Sequence, residues 1–170
     1  RDELLVHSDG SIALTDRGTI KVNDRLETTA KGVWAIGECA GSPQFTHASL
    51  DDFRVIRDNL GGSDRTTTGR LMPYCMFIDP PLARIGMSEA EAHASGIDMR
   101  VAKLPMKAVL RTRTTSQTSG FVKALVDPQD RIAGFAMIGS EAGEVMAVVQ
   151  AAMLGGLPYS VLRGAILAHP

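Results

Sequence analysis

The chain is poor in cysteine and in aromatic side chains. Cys39 and Cys75 are its only thiols, and Phe, Trp and Tyr together make up 5% of 170 residues. Two cysteines this far apart form no Cys-x-x-Cys pair and no metal-spaced cluster, which excludes a disulfide framework and a thiolate metal centre. Two reduced, buried thiols in a cytoplasmic protein, with no metal, are the expectation. Neither sign of charge prevails: 18 Lys and Arg stand against 19 Asp and Glu, a net charge of -1. No basic patch stands out, so a nucleic-acid partner is not favoured. No apolar run approaches the roughly 18 residues of a membrane span, and Arg1 to His7 lack the basic start and long apolar core of a signal peptide. The chain also lacks any Gly-x-Gly-x-x-Gly fingerprint and any Cys-x4-Cys pair. What remains is an ordinary globular composition, 44% hydrophobic and 22% charged, long enough for one domain or a small pair.

The most informative segment that is present runs from Thr28 to Gly41. A turn leads into four apolar residues, Val33 to Ile36, which predict a short buried strand of the kind found in parallel sheets. Gly37-Glu38 follows, then a loop of small residues. Ligands of open α/β sheets bind outside the carboxyl ends of the strands. A carboxylate placed there, after a glycine that lets backbone come close, can accept hydrogen bonds from a chain of ribose- or ribityl-like hydroxyls. The plainer alternative is a buried strand and an ordinary loop.

Around this segment the chain is well punctuated. Asp9-Gly10, Arg17-Gly18 and Asn23-Asp24 signal turns, and Ile12, Leu14, Ile20 and Val22 suggest short strands between them. Leu50, Phe53, Ile56 and Leu60 recur at helical spacing, predicting a helix from Thr46 that Gly61-Gly62 stops. Asp51 and Asp52 lie early in it and, being adjacent, point apart on a solvated face. Residues 63–70 are small and polar, the best linker in the chain, and divide it into 1–62 and 71–170.

The second part predicts strands over Met72 to Ile78, Leu82 to Met87 and Met99 to Leu104, then a hairpin of Gly120–Val126 and Ile132–Ile138. Ser88-Glu89-Ala90-Glu91 is a capping box for a helix ending at Gly96. Ser140 is expected to cap a long helix, Glu141 to Leu154. That helix is apolar over most of its circumference, so it is either central to its own domain or partly covered by another chain. Pro158 opens a last helix, Tyr159 to Leu167. Arg111 and Arg113 in a Thr-rich stretch read as an edge strand with outward charges or as a small anion site. His7 and His93 carry no signal, and His93 is expected on a solvated helix face.

Thr28, Gly32, Val33, Trp34, Ala35, Ile36 and Gly37 match the pattern Thr-x-x-x-Gly-(apolar)-(apolar)-Ala-(apolar)-Gly-Asp, with Glu38 in place of the Asp and its carboxylate about 1.5 Å further out. The segment resembles the second flavin-binding motif of the FAD-dependent pyridine nucleotide-disulfide oxidoreductases, a family that includes glutathione reductase, dihydrolipoamide dehydrogenase and mercuric reductase. Asp79-Pro80-Pro81-Leu82-Ala83-Arg84-Ile85-Gly86 is similar to the family's Pro-containing strand-turn. Ile138-Gly139-Ser140-Glu141-Ala142-Gly143-Glu144-Val145 is similar to its Gly-x-x-Ala-x-Glu helix start. Ser42-Pro43-Gln44-Phe45 looks most like the mercuric reductase branch.

The resemblance implies an α+β fold: an antiparallel sheet with flanking helices (the dimerisation domain) after a remnant of an α/β FAD-binding domain. It implies FAD as cofactor and NAD(P)H as co-substrate of a longer parent enzyme. This chain is then either the parent's C-terminal part or a truncated form of it, without bound cofactor on its own. Gly37, Glu38, Thr46 and His47 become the cofactor contacts, Thr46 acting through its backbone at a helix start whose positive end favours a reduced, anionic flavin. His169, in the family's His-Pro pair, becomes the acid–base imidazole serving the partner subunit's redox disulfide, since an imidazole titrates near working pH; the other reading of a terminal His-Pro is a frayed tail. Cis bonds are implied at Asp79-Pro80 and His169-Pro170. The expected activity is electron transfer from NAD(P)H through FAD to a disulfide or related substrate, in a homodimer formed through residues 71–170. The alternative is an association module without catalysis.

Overall fold

Turns rather than ladders organise the beginning of the chain. The computed structural model describes residues 6–7 and 10–168, and the chain divides into two compact units, Arg1–Arg70 and Leu71–Pro170. In the first, β1 (Val6–His7) and β2 (Gly10–Ser11) pair antiparallel. Single bridges join Leu14 to Ile20 and Glu27 to Trp34. The apolar run Val33 to Ile36 is therefore not the predicted strand. Trp34 alone bridges, and the Ala35 N–H donates to the Leu26 carbonyl at 3.1 Å. A strand needs backbone partners along its length, and hydrophobicity alone does not supply them. A 3₁₀ turn, Gly37–Ala40, follows and closes on Gly41 in the left-handed conformation. Then α1 runs Thr46–Leu60, with Gly61 as its C-cap.

Its N-cap is Phe45, not Thr46, and no side chain caps it. Ala48, Asp52 and Val55 form its buried stripe. Asp52 on that stripe overturns the expectation of a solvated pair. Helical spacing places Asp52 one turn after Ala48 and one turn before Val55, so it faces inward with them. Residues 63–70 are tethered to α1. Asn59 donates to the Arg65 carbonyl and accepts from the Arg65 N–H, both at 2.8 Å.

The second unit is an antiparallel five-stranded sheet in the order β3-β4-β7-β6-β5, made of β3 (Tyr74–Met76), β4 (Leu82–Gly86), β5 (Arg100–Pro105), β6 (Phe121–Val126) and β7 (Ile132–Ile138). Alternation along β4 turns Ala83 and Ile85 inward. They meet Phe135 and Met137 of β7, Met106, and Ala142, Met146 and Val149 of α4 (Ala142–Leu154). β4 ends at Gly86 with φ 72°, where a Cβ would lie 2.3 Å from the Ala133 carbonyl oxygen, so only glycine fits the close crossing. The Asp79-Pro80 bond is cis. Ser88 and Glu91 form the capping box of α2 (Glu89–Ser95), which ends on left-handed Gly96. His93 of α2 is exposed.

Three local expectations fail here. Residues 110–114 are helical, α3 (Leu110–Thr114), not an edge strand: the Arg113 N–H returns to the Val109 carbonyl at 3.3 Å, and buried Thr112 donates to the Met106 carbonyl. Glu141, at φ 60°, rather than Ser140, is the N-cap of α4. The final helix, α5, stops at Gly164 (Tyr159–Gly164). Of the thiols, Cys39 is exposed and Cys75 half-buried, so neither is a core residue. His169-Pro170 lies outside the described residues.

Candidate functional site

The segment that carries Glu38 is built from its turns upward. The Thr28 hydroxyl accepts from the Ala30 N–H at 3.2 Å, and Gly32, at φ 76°, lets the chain reverse so that the Thr28 N–H reaches the Val33 carbonyl at 2.9 Å. Gly37 is buried at φ 68°, where a Cβ would lie 2.6 Å from the Ser49 hydroxyl. Its N–H donates to Asp52 Oδ2 at 2.8 Å. The Ser42 N–H returns to the Gly37 carbonyl at 3.1 Å, and the Ile20 N–H donates to the Cys39 carbonyl at 2.6 Å.

This turn carries Glu38, exposed, into an open cleft of about 640 Å³ lined also by Thr15, Asp16, Thr19, Ser42 and Gln44. Cleft and carboxylate thus coincide. Thr46 and His47 are exposed in the first turn of α1, and the Phe45 and His47 rings stack at 5.0 Å. At the start of α1 the Phe45 N–H donates to the Pro43 carbonyl at 2.7 Å and the Ala48 N–H to the Phe45 carbonyl at 3.0 Å, and no side chain caps the helix. Hydroxyl and carboxylate groups beside a close backbone approach can hydrogen-bond a polyhydroxylated ligand; Thr46 and His47 are not among the residues that line this cleft.

Below the turn lies a charge network that periodicity did not reveal. Asp52 is fully buried. Arg70 Nη1 donates to its Oδ1 at 2.6 Å and to Asp51 Oδ2 at 3.3 Å, and Arg70 Nη2 reaches the Ser42 hydroxyl at 3.4 Å. Arg65 pairs with Asp51 at 2.5 Å and with Asp58 at 3.0 Å. Burial by itself raises the Asp52 carboxyl, but hydrogen bonds from Arg70, the Gly37 N–H and Ser42 outweigh it and hold the group below the usual carboxylate range. Bonds from Arg57 and then Arg65 lower Asp58 in the same direction. The only signals of this network in sequence were an acid on the apolar stripe of α1 and two arginines in a polar segment.

In the second unit, α4 buries Ala142, Met146, Val149 and Ala152 and leaves Val145, Val148 and Leu154 exposed. Its apolar circumference is therefore half core and half surface. Among the described residues no group of His, Cys, Asp and Glu is placed to hold a metal ion. No helix there is long and apolar enough to cross a membrane.

The antiparallel five-stranded sheet with flanking helices is the fold of the dimerisation domain of flavin disulfide reductases. Residues 72–170 match the family described as pyridine nucleotide-disulphide oxidoreductase, dimerisation domain, and residues 1–52 that described as pyridine nucleotide-disulphide oxidoreductase. The chain belongs to this family, which is FAD- and NAD(P)H-dependent. It is 43% identical over 162 residues to the probable pyridine nucleotide-disulfide oxidoreductase RclA of Escherichia coli, covering 94% of this chain and 37% of that protein. To the dihydrolipoyl dehydrogenase of Thermus scotoductus it is 32% identical over 171 residues, covering 100% of this chain and 37% of the relative. The solved structure of the HOCl-induced flavoprotein disulfide reductase RclA from E. coli superposes with a TM-score of 0.86, again over 94% of this chain and 37% of that one. The chain thus spans little more than a third of the length of these relatives.

Proposed function

We propose that this chain is the C-terminal part of a flavoprotein oxidoreductase and supplies one wall of the FAD site (residues 1–62) and the dimerisation domain (residues 71–170). The observation that carries this reading is Glu38 standing in a polar cleft on a turn that begins at buried Gly37. When bound, FAD supplies the electron relay from NAD(P)H to a disulfide or related substrate. Glu38 accepts hydrogen bonds from the hydroxyl arm of the cofactor. Gly37 keeps side-chain bulk away from it. Thr46 and His47, at the positive start of α1, would favour negative charge on the bound cofactor. His169 holds and returns a proton for the redox disulfide of the partner subunit.

The exposed apolar strip of α4 supports a homodimer in which the same face meets itself across a two-fold axis. The two free cysteines fit a reducing compartment, so we place the protein in the cytoplasm, in redox homeostasis.

The full-length protein is expected to be yellow and to oxidise NAD(P)H. His169→Ala should slow reduction of the disulfide substrate more than reduction of the flavin by NAD(P)H in rapid-mixing experiments. Equal slowing of both halves counts against the assignment. A second reading, an association module without catalysis, rests on the same α4 strip. Colourless full-length protein that sediments as a dimer would favour it over the first.

A further inference from the structure

We propose that Asp52 and Arg70 are positioning residues for the Glu38 turn: a buried carboxylate–guanidinium pair that holds residues 37–42 at both ends and so fixes where the Glu38 carboxylate stands in its cleft. This rests on the reading of that cleft as the flavin site.

Asp52 occupies a core position of α1 between Ala48 and Val55, where an apolar side chain would fill the space without the desolvation a charge incurs. A carboxylate there is held by directed bonds, and the directions are informative. One oxygen takes the N–H of Gly37, the residue immediately before Glu38, at 2.8 Å. The other takes Arg70 Nη1 at 2.6 Å, and the second arm of the same guanidinium reaches the hydroxyl of Ser42, 3.4 Å away, at the far end of the turn. The Ser42 N–H closes the circuit on the Gly37 carbonyl at 3.1 Å. Glu38 and Ser42 both line the cleft.

The neighbouring Asp51 supplies an internal contrast. It sits on the same helix and also touches Arg70, at 3.3 Å, but its main partner is Arg65 at 2.5 Å. Asp51 anchors residues 63–70, while Asp52 also anchors the turn.

The test compares Asp52→Asn with Asp51→Asn in the full-length flavoprotein, with two readouts: FAD affinity by fluorescence titration of the apoprotein, and melting of that apoprotein. Asp52→Asn is expected to weaken FAD binding by about tenfold, the worth of one misdirected buried hydrogen bond, while Asp51→Asn stays within about twofold even if both lower the melting temperature. Equal FAD affinity in the two variants, with wild type retaining flavin, overturns the inference and leaves the site assignment standing. A wild type that binds no flavin overturns both. Should Asp52→Asn not fold, Arg70→Met and Arg70→Lys carry the test: Lys is expected to restore most of the affinity that Met loses, and identical affinities overturn the proposal.

Discussion

The two units differ in how they bury their interiors. In the first, the buried apolar set among the described residues is small (Leu26, Ala35, Ala48 and Val55), and a charged residue, Asp52, lies among them with no exposed surface. In the second, Ile85, Phe135, Met137, Met146 and Val149 close a continuous apolar core between sheet and helix. Apolar packing has no preferred direction, whereas charge-assisted hydrogen bonds do. The difference teaches where each is useful. A sheet that serves as a platform for an exposed helix face needs mass and rigidity. A turn that must aim one carboxylate needs bonds that point.

The sharpest way to break this contrast is to damage each interior in turn and read the units separately. Trp34, the only tryptophan of the chain, lies in the first unit, and strand circular dichroism reports mainly the second. Ile85→Ala, which empties a site with no exposure, is expected to destabilise the second unit by about 3 kcal/mol while the Trp34 emission transition stays in place. A matching shift of both signals would mean that the units share one unfolding transition and that the contrast is only descriptive.

Acid should act the other way. The Asp52 carboxyl titrates lower when folded than when unfolded, because hydrogen bonds and the Arg70 charge overcome its burial. Its contribution is therefore fully present above the unfolded value, about 3.9, and is lost as pH falls through and below that range. The Trp34 transition should weaken as pH drops from about 5 to about 3, and Asp52→Asn should flatten that dependence. Asp52→Ala, which strands Arg70 and the Gly37 N–H, is expected to cost about 2–3 kcal/mol at neutral pH, read by Trp34 emission in urea. An unchanged acid profile in Asp52→Asn would assign the dependence to other paired carboxylates such as half-buried Asp58.

The same contrast marks how far the sequence could be read. Elements defined by local rules were legible. Apolar periodicity with a glycine stop marked α1, the Ser88–Glu91 capping box and Gly96 bracketed α2, and the Asp127–Asp130 turn joined β6 to β7. What depended on distant partners was not. Val33 to Ile36 has a strand's composition but only one bridge. Asp52 reads as surface until Gly37 and Arg70 close around it, with partners 15 and 18 residues away. The Thr-rich run at α3 favours strand by propensity, but a Thr112 hydroxyl bonded to the Met106 carbonyl folds it into a short helix. At the candidate site the motif proposed Gly37, Glu38, Thr46 and His47, of which Glu38 lines the cleft, and it gave no sign of the network beneath them.

The smallest expected effect concerns how helices begin, and it separates the units once more. In α2 the Ser88 hydroxyl accepts from the Glu91 N–H at 3.2 Å, and the Glu91 carboxylate takes both the Ser88 N–H and its hydroxyl at 2.7 Å. Arg84 donates to the same carboxylate oxygen at 2.7 Å. Ser88→Ala leaves the Glu91–backbone bond and removes the reciprocal one, so it should cost about 1 kcal/mol, measured by urea unfolding. The first residue of α1, Thr46, makes no capping bond, so Thr46→Ala should shift the Trp34 transition by less than about 0.5 kcal/mol. If Thr46→Ala costs as much as Ser88→Ala, the start of α1 is held by the Thr46 side chain.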